Sequence, residues 1–394
     1  VVNIPLVFLI GISTCISVKV SQSYGQNEPA AVSSNFLNGS ALSLLWTGLI
    51  VAGLLVFQPF LTIFRQPPEV LELSFDYYLI IVLSLLPVLV FQCAKSFCDG
   101  LSDTIPASLL MLFGLLLNVF LNWLLIYGNL GFTALGLTGA AYGTLISRSA
   151  MAALMVAYIF RKPVYASFVS FFRHVRISRT AMAELSRIGI PSGLQFLFEV
   201  GAFAGSGIMM GWISTEALAA HQIALNLASL TFMVALGLAL GASVRIGQAF
   251  GQKNRRQVQI IGRSTLFFVA GLEFVFAVLF LGLRDYLPTL YVHETIVIKL
   301  ASQMLLIAAL FQLFDGIQCV ALGLLRGLSD VRIPTAITFF AYWVIGLPLC
   351  WALAFQLQLE HWGIWIGLLT ALVFSSGLLS LRFLKLTDSR KITL

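Results

Sequence analysis

The chain has 394 residues, of which 59% are hydrophobic and only 10% are charged, and its mean hydropathy is +0.97. Soluble domains carry about 25% charged residues, so this composition excludes a soluble enzyme, a disordered segment and a nucleic-acid-binding module. The formal net charge of +7 would attract anionic partners, but its meaning depends on where the basic residues lie.

Apolar runs long enough to cross a bilayer as helices recur along the whole chain. The sequence predicts eleven of them, at residues 1–24, 42–64, 76–98, 107–128, 136–160, 188–212, 222–249, 262–283, 299–325, 333–355 and 362–385. Helices are predicted rather than barrel strands because barrel strands are about ten residues long and alternate in hydrophobicity. The fold class expected is therefore an all-α polytopic membrane protein.

The basic residues are distributed unequally between the loops on the two sides of the predicted membrane. Nineteen of the 23 Lys and Arg residues fall on the side that includes the C-terminus, three fall on the other side, and Arg148 lies within a span. Because positive charge is retained on the cytoplasmic side, we expect a multi-pass protein of the cell (inner) membrane with a cytoplasmic C-terminus. The net charge is then a topology signal, and no nucleic-acid partner is expected.

The two halves of the chain repeat one another. Residues 11–26 align with residues 237–252 at an offset of 226, and the Gly-Leu-Ser-Asp segment at 100–103 recurs at 327–330. Matched segments fall on the same side of the membrane, so the repeat is parallel and each half needs an even number of helices. We therefore expect two six-helix lobes related by a pseudo-twofold axis, with a first helix that lies before residue 1. The predicted parts are an N-terminal lobe at 1–160 (helices 2–6), a basic cytoplasmic linker at 161–187 and a C-terminal lobe at 188–394 (helices 7–12).

Three segments of the second half carry motifs in a fixed order. They are Gly-Ile-Pro-Ser-Gly-Leu-Gln-Phe-Leu-Phe-Glu-Val at 189–200, Ala-Ala-His-Gln-Ile-Ala-Leu-Asn at 219–226 and Gly-Leu-Leu-Arg-Gly-Leu-Ser-Asp at 323–330. In these motifs the chain resembles the MATE (multidrug and toxic compound extrusion) family, and the NorM-like branch most of all. The resemblance implies a secondary antiporter with a central cleft, which exports organic cations and drugs in exchange for Na⁺ or H⁺ and needs no other cofactor. It also implies an acidic coupling residue in the first helix, outside this chain.

Three acidic residues lie deep within predicted spans, namely Glu199, Glu273 and Asp315. A charged group at the bilayer centre costs about 2.5–3.5 kcal/mol on insertion scales, so each is a candidate functional residue. Gln195 lies one turn before Glu199 and extends a polar face on that helix. The resemblance assigns Glu199 and Asp315 to a cation site in the C-terminal lobe. The alternative, a structural ion pair, is disfavoured because no Lys or Arg is predicted at mid-span in this half.

The coupling ion is left open between Na⁺ and H⁺. Glu199 and Asp315 could together hold Na⁺, but some NorM-like proteins place a tyrosine one turn before the aspartate, and this chain has Phe311 there. A phenyl ring offers no oxygen ligand, which favours H⁺.

A second group of polar residues is predicted in the first half. Asn118 and Asn122 lie one turn apart at mid-span, and the resemblance joins them to Thr144 in a cation site of the N-terminal lobe. The alternative is that the amides hydrogen-bond neighbouring helices. Glu273 matches no motif, and a structural partner or a misplaced span is expected rather than a coupling role. Arg148 is expected to be a structural partner of a carbonyl or an acid.

Other classes of function fit the sequence less well. A lipid-linked oligosaccharide flippase of the same wider superfamily would favour a cleft lined with basic residues, whereas Arg148 is the one base predicted at mid-span. A membrane-embedded enzyme would need a cluster of metal ligands or a nucleophile with a base, and the paired acids suit alternating access better than a channel. We expect a monomer whose partners are small organic cations and the lipid bilayer.

Overall fold

The structure, a computed structural model, describes residues 2–58, 60 and 68–388, with the backbone alone at 68–74. In these ranges eleven helical segments are long and apolar enough to cross a membrane. The predicted all-α polytopic fold is therefore confirmed. The helices are α1 (Asn3–Gly25), α2 (Pro29–Phe57), α3 (Pro68–Leu83), α4 (Leu85–Gly100), α5 (Ile105–Tyr127), α6 (Gly136–Arg161), α7 (Ala166–Phe172), α8 (Arg179–Ile213), α9 (Thr215–Gly251), α10 (Arg255–Leu283), α11 (Thr295–Gly327), α12 (Arg332–Phe339), α13 (Leu347–Trp351) and α14 (Glu360–Thr387).

The predicted start of the second span is wrong. The sequence places it at residue 42, whereas α2 begins at Pro29; the predicted end at 64 lies outside the described residues. The first half of α2 is polar, but several of its polar side chains, including Ser33, Asn35 and Asn38, are hydrogen-bonded within the protein. Ser33 Oγ, for example, donates to the Phe168 carbonyl oxygen at 2.9 Å. Hydropathy alone misses such a helix because buried polar groups that are hydrogen-bonded within the protein need not face water.

Two of the spans are interrupted. The third is divided into α3 and α4 at Ser84, where Arg148 Nη1 donates to the Ser84 hydroxyl at 2.7 Å. Arg148 thus has a structural partner, as predicted, although the partner is a hydroxyl rather than a carbonyl or an acid.

The tenth span contains α12 and α13 with π-helical turns after each, and Pro348 lies in α13. Proline lacks a backbone donor, which explains the local widening of the helix.

The chain folds into two compact units, Val1–Gly193 and Leu194–Leu394. The boundary lies inside α8, so the segment predicted as a linker at 161–187 belongs to the first unit. In the second unit α11 is the most central helix, and its buried face runs from Val297 to Gly327.

Equivalent contacts recur in the two units. A Cβ atom added to Gly100 would lie 2.7 Å from Val20 Cγ1, and one added to Gly327 would lie 2.9 Å from Ile246 Cβ. Val20 and Ile246 are themselves matched in the alignment of residues 11–26 with 237–252. The sequence repeat is therefore also a repeat of helix packing, in which a glycine at the end of one helix allows close approach of another.

The loop after each of these glycines is tied to the last spanning segment of its unit. In the first unit the carboxylate of Asp103 accepts hydrogen bonds from Tyr165 at 2.5 Å, Tyr158 at 2.9 Å and Lys162 at 3.1 Å. In the second unit the matching aspartate pairs with an arginine of α14 through two hydrogen bonds of 2.5 and 3.0 Å, namely Asp330 and Arg382.

The Asp103 cluster predicts a pH-dependent contribution to stability. Partial burial raises the pKa of Asp103, but the hydrogen bonds from Tyr165, Lys162 and Tyr158 outweigh it and hold this pKa below its ordinary value. The ionised form is therefore favoured in the fold; its contribution is complete above the unfolded pKa of about 3.9 and is lost as pH falls through the lowered folded value. We expect Asp103→Asn to lower the free energy of unfolding by about 1–2 kcal/mol at pH 7.

Thermal unfolding of the purified chain, measured from pH 7 downwards, checks this expectation. The melting temperatures of the wild type and of Asp103→Asn should converge in acid. Glu184→Gln, a change at an exposed acid, is the matched control and should follow the wild type at every pH. A difference that does not depend on pH would show that the carboxylate charge of Asp103 is not involved.

Candidate functional site

Glu199 on α8 and Asp315 on α11 line one cavity of about 240 Å³ within the second unit. Both residues are buried, with 8% and 5% of their surface exposed. The rest of the wall is almost entirely apolar and includes four phenylalanine rings, those of Phe196, Phe203, Phe232 and Phe311. The structure thus places the two acids selected from the sequence in a single small, aromatic pocket.

The cavity exists where it does because glycines let other helices approach α11 closely. A Cβ atom on Gly323 would lie 2.4 Å from the Ala239 carbonyl oxygen of α9, and one on Gly316 would lie 2.5 Å from Glu273 Cγ of α10. Through these contacts α9 packs against α11 at Gly323, and α10 packs against α11 at Gly316, the residue next to Asp315. The position of Asp315 therefore follows from backbone packing.

Neither cavity acid is paired within the described part of the chain. Glu199 makes no hydrogen bond or ion pair there, and Asp315 Oδ1 is buried without a partner. Buried carboxylates are normally paired, or neutralised by a proton or a cation. Glu199 and Asp315 also lie near enough to each other for their charges to repel. The pair of acids can therefore bind a cation or protons. The state in which both carboxylates are ionised and no cation is bound is unfavourable.

The amide residues next to Asp315 connect α11 to its neighbours. Thr231 Oγ1 of α9 donates to Gln312 Oε1 at 3.1 Å, and Gln318 Nε2 donates to the Tyr342 hydroxyl at 3.0 Å. These bonds orient the polar face of α11 that carries Asp315. Thr231 and Tyr342 were not predicted as site residues, and a single polar residue in an apolar run gives little signal in the sequence.

The side chain of Gln195 contacts a buried base, Arg326, whose place in the fold the sequence does not indicate. Gln195 is 3% exposed, and its Oε1 lies 3.5 Å from an Nη atom of Arg326. The Arg326 guanidinium also lies 5.2 Å from the centre of the Phe196 ring. Arg326 is the second-to-last residue of α11 and so does not lie at mid-span, but its guanidinium lies beside Gln195 and Phe196 of α8, a position that the sequence does not lead us to expect. Side chains point toward the N-terminus of their helix, so a residue at the C-terminal end of α11 reaches back into the span.

Glu273 is the third buried acid of this unit. It is 1% exposed, and neither carboxylate oxygen has a partner among the described residues. Its side chain packs against Gly316, the residue that follows Asp315. The structural partner predicted for Glu273 is therefore not found within the described ranges. Glu273 lies against α11 from α10 and is not part of the cavity wall.

Replacing Glu273 by an apolar side chain of similar length is expected to stabilise the protein. A buried polar group without a partner is destabilising, so Glu273→Met should raise the free energy of unfolding by about 1–3 kcal/mol. The measurement is the melting temperature of the purified chain. Glu273→Gln keeps a buried polar group in the same place and should raise the free energy of unfolding by less. A lower melting temperature for Glu273→Met would show that the carboxyl group makes a stabilising interaction.

The polar group predicted in the first unit is also brought together. Asn122 Nδ2 donates to Asn118 Oδ1 at 3.2 Å, and Asn118 Nδ2 lies 3.5 Å from Thr144 Oγ1 and 3.4 Å from Ser147 Oγ. Ser147 was missed, although it lies one turn after Thr144 on the same face of α6. These side chains bond mainly to one another across α5 and α6, as the alternative interpretation of helix–helix hydrogen bonding expects.

Eleven spans, a repeat of helix packing in the two units and buried acids on the wall of a cavity define a multi-pass membrane transporter. Comparison with known proteins then identifies its family. The family model described as MatE matches residues 1–124 and 191–352. The chain belongs to the MatE family and is a membrane transporter, not an enzyme.

Named relatives cover nearly the whole chain. It is 34% identical over 385 residues to the "Probable multidrug resistance protein NorM" of Rhizobium meliloti, covering 96% of this chain and 82% of the relative. It is 33% identical to the protein of the same name in Pseudomonas putida, covering 96% and 83%.

Solved structures share the fold. The crystal structure of the eukaryotic MATE transporter AtDTX14 matches with a TM-score of 0.85 at 19% identity, covering 96% of this chain and 84% of the other. A crystal structure of MATE in the bent conformation matches with a TM-score of 0.90 at 19% identity, covering 98% and 86%.

Proposed function

We propose that this chain is a multidrug efflux transporter that works as a secondary antiporter, exporting organic cations across the cytoplasmic membrane in exchange for H⁺ or Na⁺. The observation that carries the proposal is the pair Glu199 and Asp315, two buried acids on one aromatic cavity with no hydrogen bond or ion pair to Glu199 in the described ranges. The curated relatives are named as multidrug resistance proteins, which supports this class of substrate.

The cavity offers two attractions to an aromatic cation. The phenylalanine rings on its wall can face the flat or bulky apolar body of a drug and stabilise its positive charge by cation–π contact. The carboxylates of Glu199 and Asp315 then supply opposite charge in a water-poor site, where electrostatic attraction is strong. Such a wall disfavours an anionic lipid-linked substrate, so the flippase alternative gains no support from it.

Exchange follows from competition for the same two acids. A carboxylate neutralised by H⁺ or Na⁺ no longer attracts the cationic drug, and a bound drug disfavours uptake of the coupling ion. Release of the drug is therefore linked to binding of the ion from the opposite side. Neutralising Glu199 and Asp315 is the central step of the proposed cycle.

H⁺ is the coupling ion that the site favours. Phe311 lies on the wall beside Asp315 and contributes a ring in place of an oxygen ligand. A proton needs one oxygen atom, whereas an alkali cation needs several arranged around it.

The remaining aspects of the proposal concern placement and assembly. The positive charges on one side of the spans favour a cytoplasmic C-terminus in the inner membrane. We expect the chain to act as a monomer with no cofactor.

In the first unit we propose a supporting polar site formed by Asn118, Asn122 and Thr144. The amide and hydroxyl groups of these residues can bind a hydrated proton or a cation.

The deciding experiment measures efflux of ethidium, a fluorescent aromatic cation, from cells that express the chain. The assay is run with and without Na⁺ and with an uncoupler that collapses the proton gradient. We expect energy-dependent efflux that the uncoupler abolishes and that persists without Na⁺. Efflux that requires Na⁺ would reassign the coupling ion, and efflux equal to that of cells lacking the chain would overturn the proposed function.

A further inference from the structure

Arg326 is a buried cation that the proposed exchange does not use. It is 4% exposed, and its Nε has no hydrogen-bond partner among the described residues. Its contacts include a long hydrogen bond of 3.5 Å to Gln195 and the face of the Phe196 ring. A buried guanidinium normally uses several of its five donors, so the unpartnered Nε leaves part of its hydrogen-bonding capacity unused.

The backbone of Arg326 is fixed, so its charge has a defined place. The next residue, Gly327, leaves no room for a Cβ atom, which would lie 2.5 Å from the Ser243 carbonyl oxygen of α9. The Arg326 carbonyl accepts a hydrogen bond from the Ser329 amide at 2.8 Å, which closes the end of α11. The position of the guanidinium is therefore set by helix packing, and the side chain points back along α11 toward the cavity.

The guanidinium lies directly behind the cavity wall. Phe196, on whose ring it rests, is itself a wall residue, and Gln195, to which it bonds, lies one turn before Glu199 on α8. Glu199 is close enough for electrostatic interaction with Arg326, although no ion pair joins them among the described residues. Arg326 thus offsets part of the negative charge of Glu199 without occupying the site.

A count of charges at the cavity then shows what Arg326 contributes. Two acids line the wall, and behind it lie one base, Arg326, and a third buried acid, Glu273, which packs against Gly316 beside Asp315, so the fully ionised cluster carries a net charge of −2. Without the Arg326 guanidinium the same cluster would carry −3, and the extra attraction would act on each positive charge of a bound cation. Arg326 therefore lowers the affinity for a doubly charged cation by more than that for a singly charged one.

We propose that Arg326 is an internal counter-ion that limits the preference of the cavity for more highly charged aromatic cations, a specificity role that rests on the proposed cation-binding function of Glu199 and Asp315. The same charge limits how tightly a cation is held. A site without the Arg326 charge would bind cations more strongly and release them more slowly, since affinity differences appear mainly in the rate of dissociation.

The test compares two dyes with the same ring system, ethidium with one positive charge and propidium with two. Equilibrium binding to the purified full chain is measured by fluorescence at fixed pH, which requires no transport. Arg326→Gln should bind ethidium about tenfold and propidium about a hundredfold more tightly than wild type does, which corresponds to about 1.4 kcal/mol for each positive charge on the dye. Arg326→Lys keeps the charge and should retain the wild-type preference.

A second variant shows whether the effect of Arg326→Gln comes from the change in net charge or from leaving one buried group without its partner. Arg326→Gln combined with Glu199→Gln restores the wild-type net charge of the cluster and should restore the wild-type ratio of the two affinities. Arg263→Gln, at an exposed arginine of the same unit, is the matched control and should change neither affinity.

The outcomes separate this inference from the proposed function. If wild type binds ethidium but Arg326→Gln and the double variant leave the affinity ratio unchanged, Arg326 does not set charge preference and the cation site still stands. If Arg326→Gln weakens both dyes equally, its role is structural. If wild type binds neither dye, the proposed function fails and this inference fails with it.

Discussion

Removing both cavity acids together, by Glu199→Gln and Asp315→Asn, is expected to abolish ion-driven efflux while the protein stays folded. The two amides keep the size of the original side chains but are uncharged, so they leave no negative charge for H⁺ or Na⁺ to neutralise. The variant cavity then has no charge to exchange between drug and coupling ion. Efflux of ethidium should fall to the background of cells that lack the chain, a loss of about a hundredfold or more if each acid contributes 1.4 kcal/mol or more.

The measurement needs evidence that the variant is folded. Neither acid makes a hydrogen bond or ion pair that its amide would break, apart from the electrostatic interaction of Glu199 with Arg326. We therefore expect normal membrane expression and a melting temperature close to that of wild type. Glu184→Gln, an exposed acid on α8, controls for the loss of a carboxylate as such. Wild-type efflux by the double variant would exclude these residues from coupling.

The sequence predicts the fold well because its strongest signals are local. Eleven apolar runs give eleven spans, since the length of a spanning helix is set by the thickness of the bilayer. The second span shows the limit of this signal. Residues 29–41 are polar enough to suggest a loop, yet they are helical because neighbouring helices bury and bond their polar side chains.

The site was only partly predictable, and Arg326 shows why. Its position in the sequence, at the end of a span and next to a loop, is typical of a topology signal. The direction of its side chain, back toward Gln195 and Phe196, depends on the rotamer and on which helix lies alongside. A hydropathy pattern contains neither piece of information. Glu273 is the reverse case, since its place within a helix long enough to span the membrane was correctly predicted but its contact with Gly316 was not.

Replacing Gly323 by leucine is expected to prevent formation of the second unit. Even a single Cβ atom at this position would lie 2.4 Å from the Ala239 carbonyl oxygen and 2.9 Å from its carbon. Both atoms belong to the backbone of α9, so no side-chain rotation can relieve the overlap. Overpacking typically costs about 1–3 kcal/mol and more where the neighbour cannot move, which is a large part of the about 5–15 kcal/mol that stabilises a native protein. Membrane expression of folded chain should be lost for Gly323→Leu.

Gly323→Ala provides the graded case, and Gly237 the control. Gly237 lies on α9 with open space where its Cβ would be, so Gly237→Leu should be tolerated. Gly323→Ala should fold with a lower melting temperature, because α9 must shift away from α11 to admit one methyl group. Such a shift would strain the 3.1 Å hydrogen bond from Thr231 on α9 to Gln312 on α11, and so would widen the cavity beside Asp315. Ethidium affinity should therefore fall together with stability in Gly323→Ala. Equal affinity in a destabilised Gly323→Ala would mean that the spacing of α9 and α11 does not define the cation site.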